Sequence, residues 1–144
     1  MLGVTAYFYK SSQEVKAIRR AFLSEIRSLS EMIRVRQYVE GLLESAAELD
    51  QGVHGDNAQI SLEVPLDLST YRPIWGHYAS RIGSLSDPEA EQIHRFYQLV
   101  DSVARDVSPG GILHAGTADS SDFKDAAELL QSALSIADQL CDKK

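Results

Sequence analysis

Four histidines and one cysteine are the side chains best placed to bind a metal or move a proton at neutral pH: His54, His77, His94, His114 and Cys141. Their spacing does not serve that chemistry. No two of them stand at a ligand interval such as His-x-x-x-His, and none pairs with a carboxylate in a zinc-type motif. His77 lies two residues after Trp75, and His94 just before Phe96 and Tyr97, so these two meet only if a helix interface brings them together. Glu40, Glu44 and Glu48 recur every four residues and share one helical face. Buried together they would hold a cation or an acid–base pair; left in water they are a solvated acidic face, which is the reading the sequence favours. Di-metal bundles carry a Glu-x-x-His pair on each of two ligand helices, and no two such pairs are present. Cys141 falls on an apolar stripe and reads as a small packing residue. There is no Gly-x-Ser-x-Gly elbow, and Gly110-Gly111 lacks the Lys-Ser/Thr of a phosphate loop. No catalytic residue, metal ligand or cofactor site is assigned, and the chain reads as a non-enzyme.

The elements that would position these residues are helices. Apolar residues recur at helical spacing from Val15 through Ile18, Phe22, Ile26, Leu29 and Ile33, then through Val35, Val39, Leu42, Ala46 and Leu49. No proline interrupts the run, so it predicts one long helix over about 11–50, capped by Ser11 or Ser12. Gly52, Gly55, Asp56 and Asn57 end it in a connector. Ile60, Leu62 and Val64 alternate with polar residues there, but no second strand is available to pair, which predicts an extended arm lying on the helices. Pro73 opens a short helix over about 72–83. Ser86 and Glu89 form a capping box for a helix over about 87–107. Ser108-Pro109-Gly110-Gly111 stops it, residues 112–120 read as a loop, and Ser120 or Ser121 caps a last helix over about 121–141.

These elements predict an all-α antiparallel bundle: a single domain over 11–144, preceded by an apolar, aromatic segment at 1–10. The last two long helices are expected to cover one half of the first. The other half, carrying Val35, Val39, Leu42 and Ala46, would be left for self-association. Tyr71 and Trp75 are the aromatic residues expected to be exposed as interaction anchors, with Tyr78, Phe96 and Tyr97 in the core.

Charge is unevenly spread. Residues 1–38 hold seven basic and three acidic side chains, a net of +4, which leaves −11 for the remainder of a chain whose total is −7. An acidic body disfavours nucleic acid as a partner. At the N-terminus, small apolar residues lead to Tyr7-Phe8-Tyr9 and then to Lys10, Lys16, Arg19 and Arg20. Aromatic residues followed by positive charge is the order found at the cytoplasmic end of a membrane helix. The apolar stretch itself is too short to span a bilayer, which takes about 20 residues. The alternative is an end whose aromatics pack on the bundle.

Three segments carry a resemblance: Arg19-Arg20-Ala21-Phe22-Leu23-Ser24-Glu25-Ile26, then Tyr78-Ala79-Ser80-Arg81-Ile82-Gly83-Ser84-Leu85, then Ile93-His94-Arg95-Phe96-Tyr97. Together they resemble a loose group of uncharacterised bacterial helical proteins, often held by one N-terminal membrane helix, with Ile82 where the group usually has Leu. The resemblance implies an anchored helical domain and no particular activity. The expected function is a protein-interaction or scaffold domain, cytoplasmic or at the cytoplasmic face of the inner membrane, meeting a protein partner or its own copy. The alternatives are a soluble bundle that binds a small ligand or metal as a sensor or minor enzyme, and a partner-neutralising protein of the antitoxin or immunity kind.

Overall fold

The computed structural model describes residues 2–142, with side chains from Ser11 to Asp142. Six helices follow one another: α1 (Leu2–Val35), α2 (Tyr38–Asp50), α3 (Pro73–Tyr78), α4 (Asp87–Asp106), α5 (Ile112–Ala115) and α6 (Ser120–Cys141). A 3-10 turn, Ala79–Ser84, extends α3. The all-α expectation is met, and the described residues form no strand longer than a single bridge.

The long first helix differs from its expected form at both ends. It does not begin at a serine cap; its backbone is already helical at Leu2, so Ser11 and Ser12 lie inside it. Nor does it reach Asp50. Gln37 takes the left-handed conformation, φ 55° and ψ 43°, and α2 sets off in a new direction. The cause is a phase jump in the apolar stripe. Ile33 is buried, and the next buried residue is Val39, six positions on. At 3.6 residues per turn, six residues point about 120° away from the starting face. A straight helix would bury one set or the other. One left-handed residue lets both sets face the core.

α6 is the central element. Its start meets the end of α2, where Ser120 Oγ and Lys124 Nζ donate to Asp50 at 2.6 and 2.7 Å. Its last turns reach α1, where Arg34 pairs with Asp138 at 2.8 Å. α4 runs antiparallel to it, with Gln92 hydrogen-bonded to Gln139. Phe123, Ala126, Ala127, Leu130, Ala133, Ala137 and Leu140 fill its buried face. The alanines let neighbouring helices approach closely, while Phe22, Ile26, Ile93, Phe96 and Tyr97 supply bulk from α1 and α4.

This arrangement corrects the expected docking half of the first helix. Val39, Leu42 and Ala46 are covered by α6 and belong to the core, and only Val35, at 74% exposure, remains outside. The uncovered part is the opposite end. Ile18 is the first buried residue among the described side chains of α1, and from Ser11 to Ala17 they are exposed apart from half-buried Val15.

The arm over 60–66 lies on the bundle as expected. Ile60 exchanges two backbone hydrogen bonds with Thr117, and Leu62 N–H donates to the Leu113 carbonyl. Residues 112–115, read as loop, make the one-turn helix α5 that receives it. Gly111 sets the approach: a Cβ there would stand 2.1 Å from the Arg105 carbonyl oxygen at the end of α4. The final helix is capped by Asp119, whose carboxylate accepts from Ser121 N–H at 2.9 Å, rather than by either serine.

Candidate functional site

Two features could carry function, a buried polar cluster where α1, α3 and α4 meet and an apolar cavity at the break between α1 and α2.

The cluster is built around Glu25, a carboxylate only 9% exposed in the middle of α1. Its two oxygens accept three hydrogen bonds: from Ile74 N–H at 2.7 Å, Trp75 N–H at 2.9 Å and the Tyr97 hydroxyl at 2.7 Å. Ile74 and Trp75 open α3, whose own preceding residue, Arg72, provides no side-chain cap. Glu25 thus satisfies first-turn donors that a helix start leaves without partners, from 49 residues away in sequence. Beside it, Asp101 accepts from the Tyr71 hydroxyl and from Arg72 Nε at 2.7 Å. Burial, and then the neighbouring Glu25, hold the Tyr97 phenol well above its ordinary value; burial and Asp101 do the same for Tyr71.

Rings stack over this cluster. Trp75 lies 4.5 Å from Tyr97 at 14° between planes, and His94 lies 5.7 Å from Trp75 at 21°. Phe22 closes the group at 5.9 Å from Trp75. Tyr71 and Trp75, expected to be exposed anchors, are half-buried, one tied to Asp101 and the other between two rings. The three segments of the sequence resemblance converge here, since Phe22 and Glu25 touch Tyr97 and Leu85 joins the same core. Every buried side-chain oxygen and nitrogen among the described residues has a partner. Buried and holding three donors, Glu25 acts as a structural clamp on α3.

The other candidate residues are dispersed. His54 contacts Glu48 at 2.9 Å on the surface, His114 lies 3.7 Å from Glu63, His77 meets the edge of Tyr78, and His94 stacks on Trp75. Glu40 and Glu44 are exposed. Among the described residues, no three His, Cys, Asp or Glu side chains converge as metal ligands. Cys141 is half-buried, and burial pushes its thiol up, away from the reactive thiolate.

The N-terminal residues Tyr7, Phe8, Tyr9 and Lys10 lie outside the residues whose side chains are described. Of the basic residues that follow, Lys16 and Arg20 are exposed, whereas Arg19 is drawn to Glu89 on α4 at 2.7 Å. That pair explains why Glu89 does not complete the capping box with Ser86, which makes no cap bond. No described helix is long and apolar enough to cross a membrane.

The cavity holds about 210 Å³. Leu29, Met32 and Ile33 of α1, Tyr38 and Leu42 of α2, and Val100, Val103, Ala104 and Val107 of α4 form its walls. Leu62, Val64, Pro65 and Leu66 of the arm roof it, with Arg36 at its mouth. The alternation at Ile60, Leu62 and Val64 signals an arm lying on the helices in the sequence, but nothing there signals a space beneath it. The chain matches no protein-family model, no curated protein and no solved structure with which it was compared.

Proposed function

We propose that this chain is a non-enzymatic interaction or scaffold domain carried by α1 at the inner face of a bacterial membrane, where its bundle meets a protein partner or a second copy. The observation that carries this reading is the course of α1. The helix leaves the core at Ile18 and continues unbroken toward Leu2, roughly 24 Å further at 1.5 Å per residue. The described side chains from Ser11 to Ala17 are exposed apart from half-buried Val15, and a helical stretch without core contacts gains little from the bundle. The sequence of that end, an apolar and aromatic stretch followed by Lys10, Lys16 and Arg20, suits the boundary between hydrocarbon and anionic headgroups.

The test is co-sedimentation of the untagged protein with vesicles of phosphatidylglycerol and phosphatidylcholine, at low and high salt. Binding to the anionic vesicles, weakened in a Lys10→Glu, Lys16→Glu, Arg20→Glu variant, is the expected result. Each exposed basic residue near an anionic surface contributes about 1 kcal/mol, and the effect falls with ionic strength. Equal recovery in the supernatant with and without vesicles would remove the membrane reading.

A further inference from the structure

We propose that the cavity between α1, α2, α4 and the arm is a binding site for a single short aliphatic chain bearing an anionic head, such as a medium-chain carboxylate. The site goes beyond the membrane reading and does not depend on it.

Size sets the first limit. A volume of about 210 Å³ exceeds the roughly 150 Å³ of a dry apolar cavity that accepts benzene, and falls below the roughly 300 Å³ at which drug-sized pockets begin. Shape and chemistry set the second. The walls are aliphatic, with no amide or carboxylate side chain among them, so a polar or planar ligand finds no partners inside.

The polar groups stand where a head would lie. Arg36 lines the cavity yet is exposed, and among the described residues no carboxylate pairs with it. Tyr38 borders the same space, and among the described residues no hydrogen bond engages its hydroxyl. Tyr71, the third polar residue of the lining, is already held by Asp101. A guanidinium and a phenol, both without protein partners among the described residues, line an otherwise apolar space and complement a carboxylate on an alkyl chain. Entry is permitted by the roof. Between the Leu62 bond to Leu113 and the turn at Asp67, the arm makes no backbone hydrogen bond to the bundle. Val64 and Leu66 can part from the wall without breaking one, while Leu62 stays held by its bond to Leu113.

The same chemistry exists in bilayer lipids and in free amphiphiles. Met32 lies roughly 33 Å along α1 from Lys10 at 1.5 Å per residue, which places the cavity away from the end that would meet a membrane. The free amphiphile is therefore the proposed ligand.

Calorimetric titration with octanoate, and with 1-octanol as its uncharged counterpart, tests the proposal. Octanoate should saturate at one site below about 1 mM. Arg36→Gln should weaken octanoate about tenfold or more, the usual worth of a charged hydrogen bond, and leave 1-octanol unchanged. Ala104→Leu should fill the space and abolish both. Should that variant not fold, Met32→Trp blocks the mouth from a partly exposed position. Octanoate that does not saturate, or binds equally to wild type and the filled variant, overturns the site. So does binding indifferent to Arg36→Gln. Retention on phosphatidylglycerol vesicles without octanoate binding also overturns it, and leaves the N-terminal membrane contact standing.

Discussion

Replacing Glu25 by alanine is expected to destabilise the fold by about 1.5–5 kcal/mol, the summed cost of the donors it leaves without an acceptor. The figure can be worked from the three donors released. Ile74 and Trp75 N–H lose their cap, and a lost helix cap is worth about 0.5–2 kcal/mol. The Tyr97 hydroxyl, on a fully buried side chain, loses its acceptor at a further cost of about 1–3 kcal/mol. Against a total stability of about 5–15 kcal/mol this is a large loss. Glu25→Gln keeps the shape but replaces one accepting oxygen by an NH2 group. Whichever way the amide turns, a donor then faces a donor, and about 1–3 kcal/mol should go. Trp75 is the sole tryptophan and rides on the helix being capped, so urea unfolding followed by its fluorescence reads both effects. In Glu25→Ala its emission should shift to the red before the helical circular dichroism is lost, because α3 parts from the bundle first. Tyr97→Phe alone should cost about 1 kcal/mol. In the double mutant the two losses should fall short of additivity by a similar amount, since they share one bond. A Glu25→Ala loss under about 1 kcal/mol, or strict additivity with Tyr97→Phe, would refute the claim that this carboxylate clamps α3.

The remaining expectations concern backbone strain and pH. Gln37→Gly removes the left-handed penalty of about 1–2 kcal/mol and adds a glycine entropy cost of about 0.5–1, so chemical denaturation should show a gain of up to about 1 kcal/mol. Gly111→Ala drives a methyl into the carbonyls of Arg105 and Asp106, backbone atoms that cannot turn aside, and should lower stability by about 1–3 kcal/mol in the same assay. Tyr71 and Tyr97 are raised above the ordinary phenol value of 10, so their stabilisation is fully present below about pH 10 and is lost as pH rises beyond it. Denaturant midpoints should fall steeply above pH 10, and the fall should be shallower in the Tyr71→Phe, Tyr97→Phe variant; an identical slope would contradict the buried hydrogen bonds. Asp106 is raised by burial and then by Asp122, which makes its ionised form less favourable than in water. Asp106→Asn should therefore be more stable than wild type at pH 7, with the difference vanishing once acid protonates the aspartate.

Much of the bundle is legible from periodicity, because each long helix buries one stripe and that stripe recurs in sequence. Phe123, Ala127, Leu130 and Ala137 mark α6, and Ile93, Phe96, Val100 and Val103 mark α4, at nearly the observed bounds. The arm is legible for the same reason at period two. Caps are less legible where the partner is remote. Ser86 and Glu89 have the spacing of a capping box, yet Arg19 on another helix takes the glutamate. The start of α3 shows only Pro73, while its real cap, Glu25, sits among charged residues of α1 that look solvent-facing. Only the fold reveals that position 25 turns inward beside Ile26. The aromatic patch was visible as composition but not as a stack, since stacking depends on Trp75 from one element meeting Tyr97 and His94 from another.

The break at Gln37 links the architecture to the cavity. It contains neither proline nor glycine, so local propensity does not signal it; the signal is the six-residue interval between Ile33 and Val39 in an otherwise three-four pattern. Turning both stripes inward requires the helix axis to change direction. At such a corner the walls diverge, and Leu29, Met32 and Ile33 on one side face Tyr38 and Leu42 on the other across the space that the arm only partly fills. A left-handed non-glycine residue stores about 1–3 kcal/mol, which persists only where surrounding packing over-determines it. Here that packing is α6 against Val39, Leu42 and Ala46. The strain at Gln37 and the space beneath Leu62 and Leu66 are two consequences of one displaced apolar stripe. A substitution that straightened the corner would therefore have to expose one stripe or close the cavity.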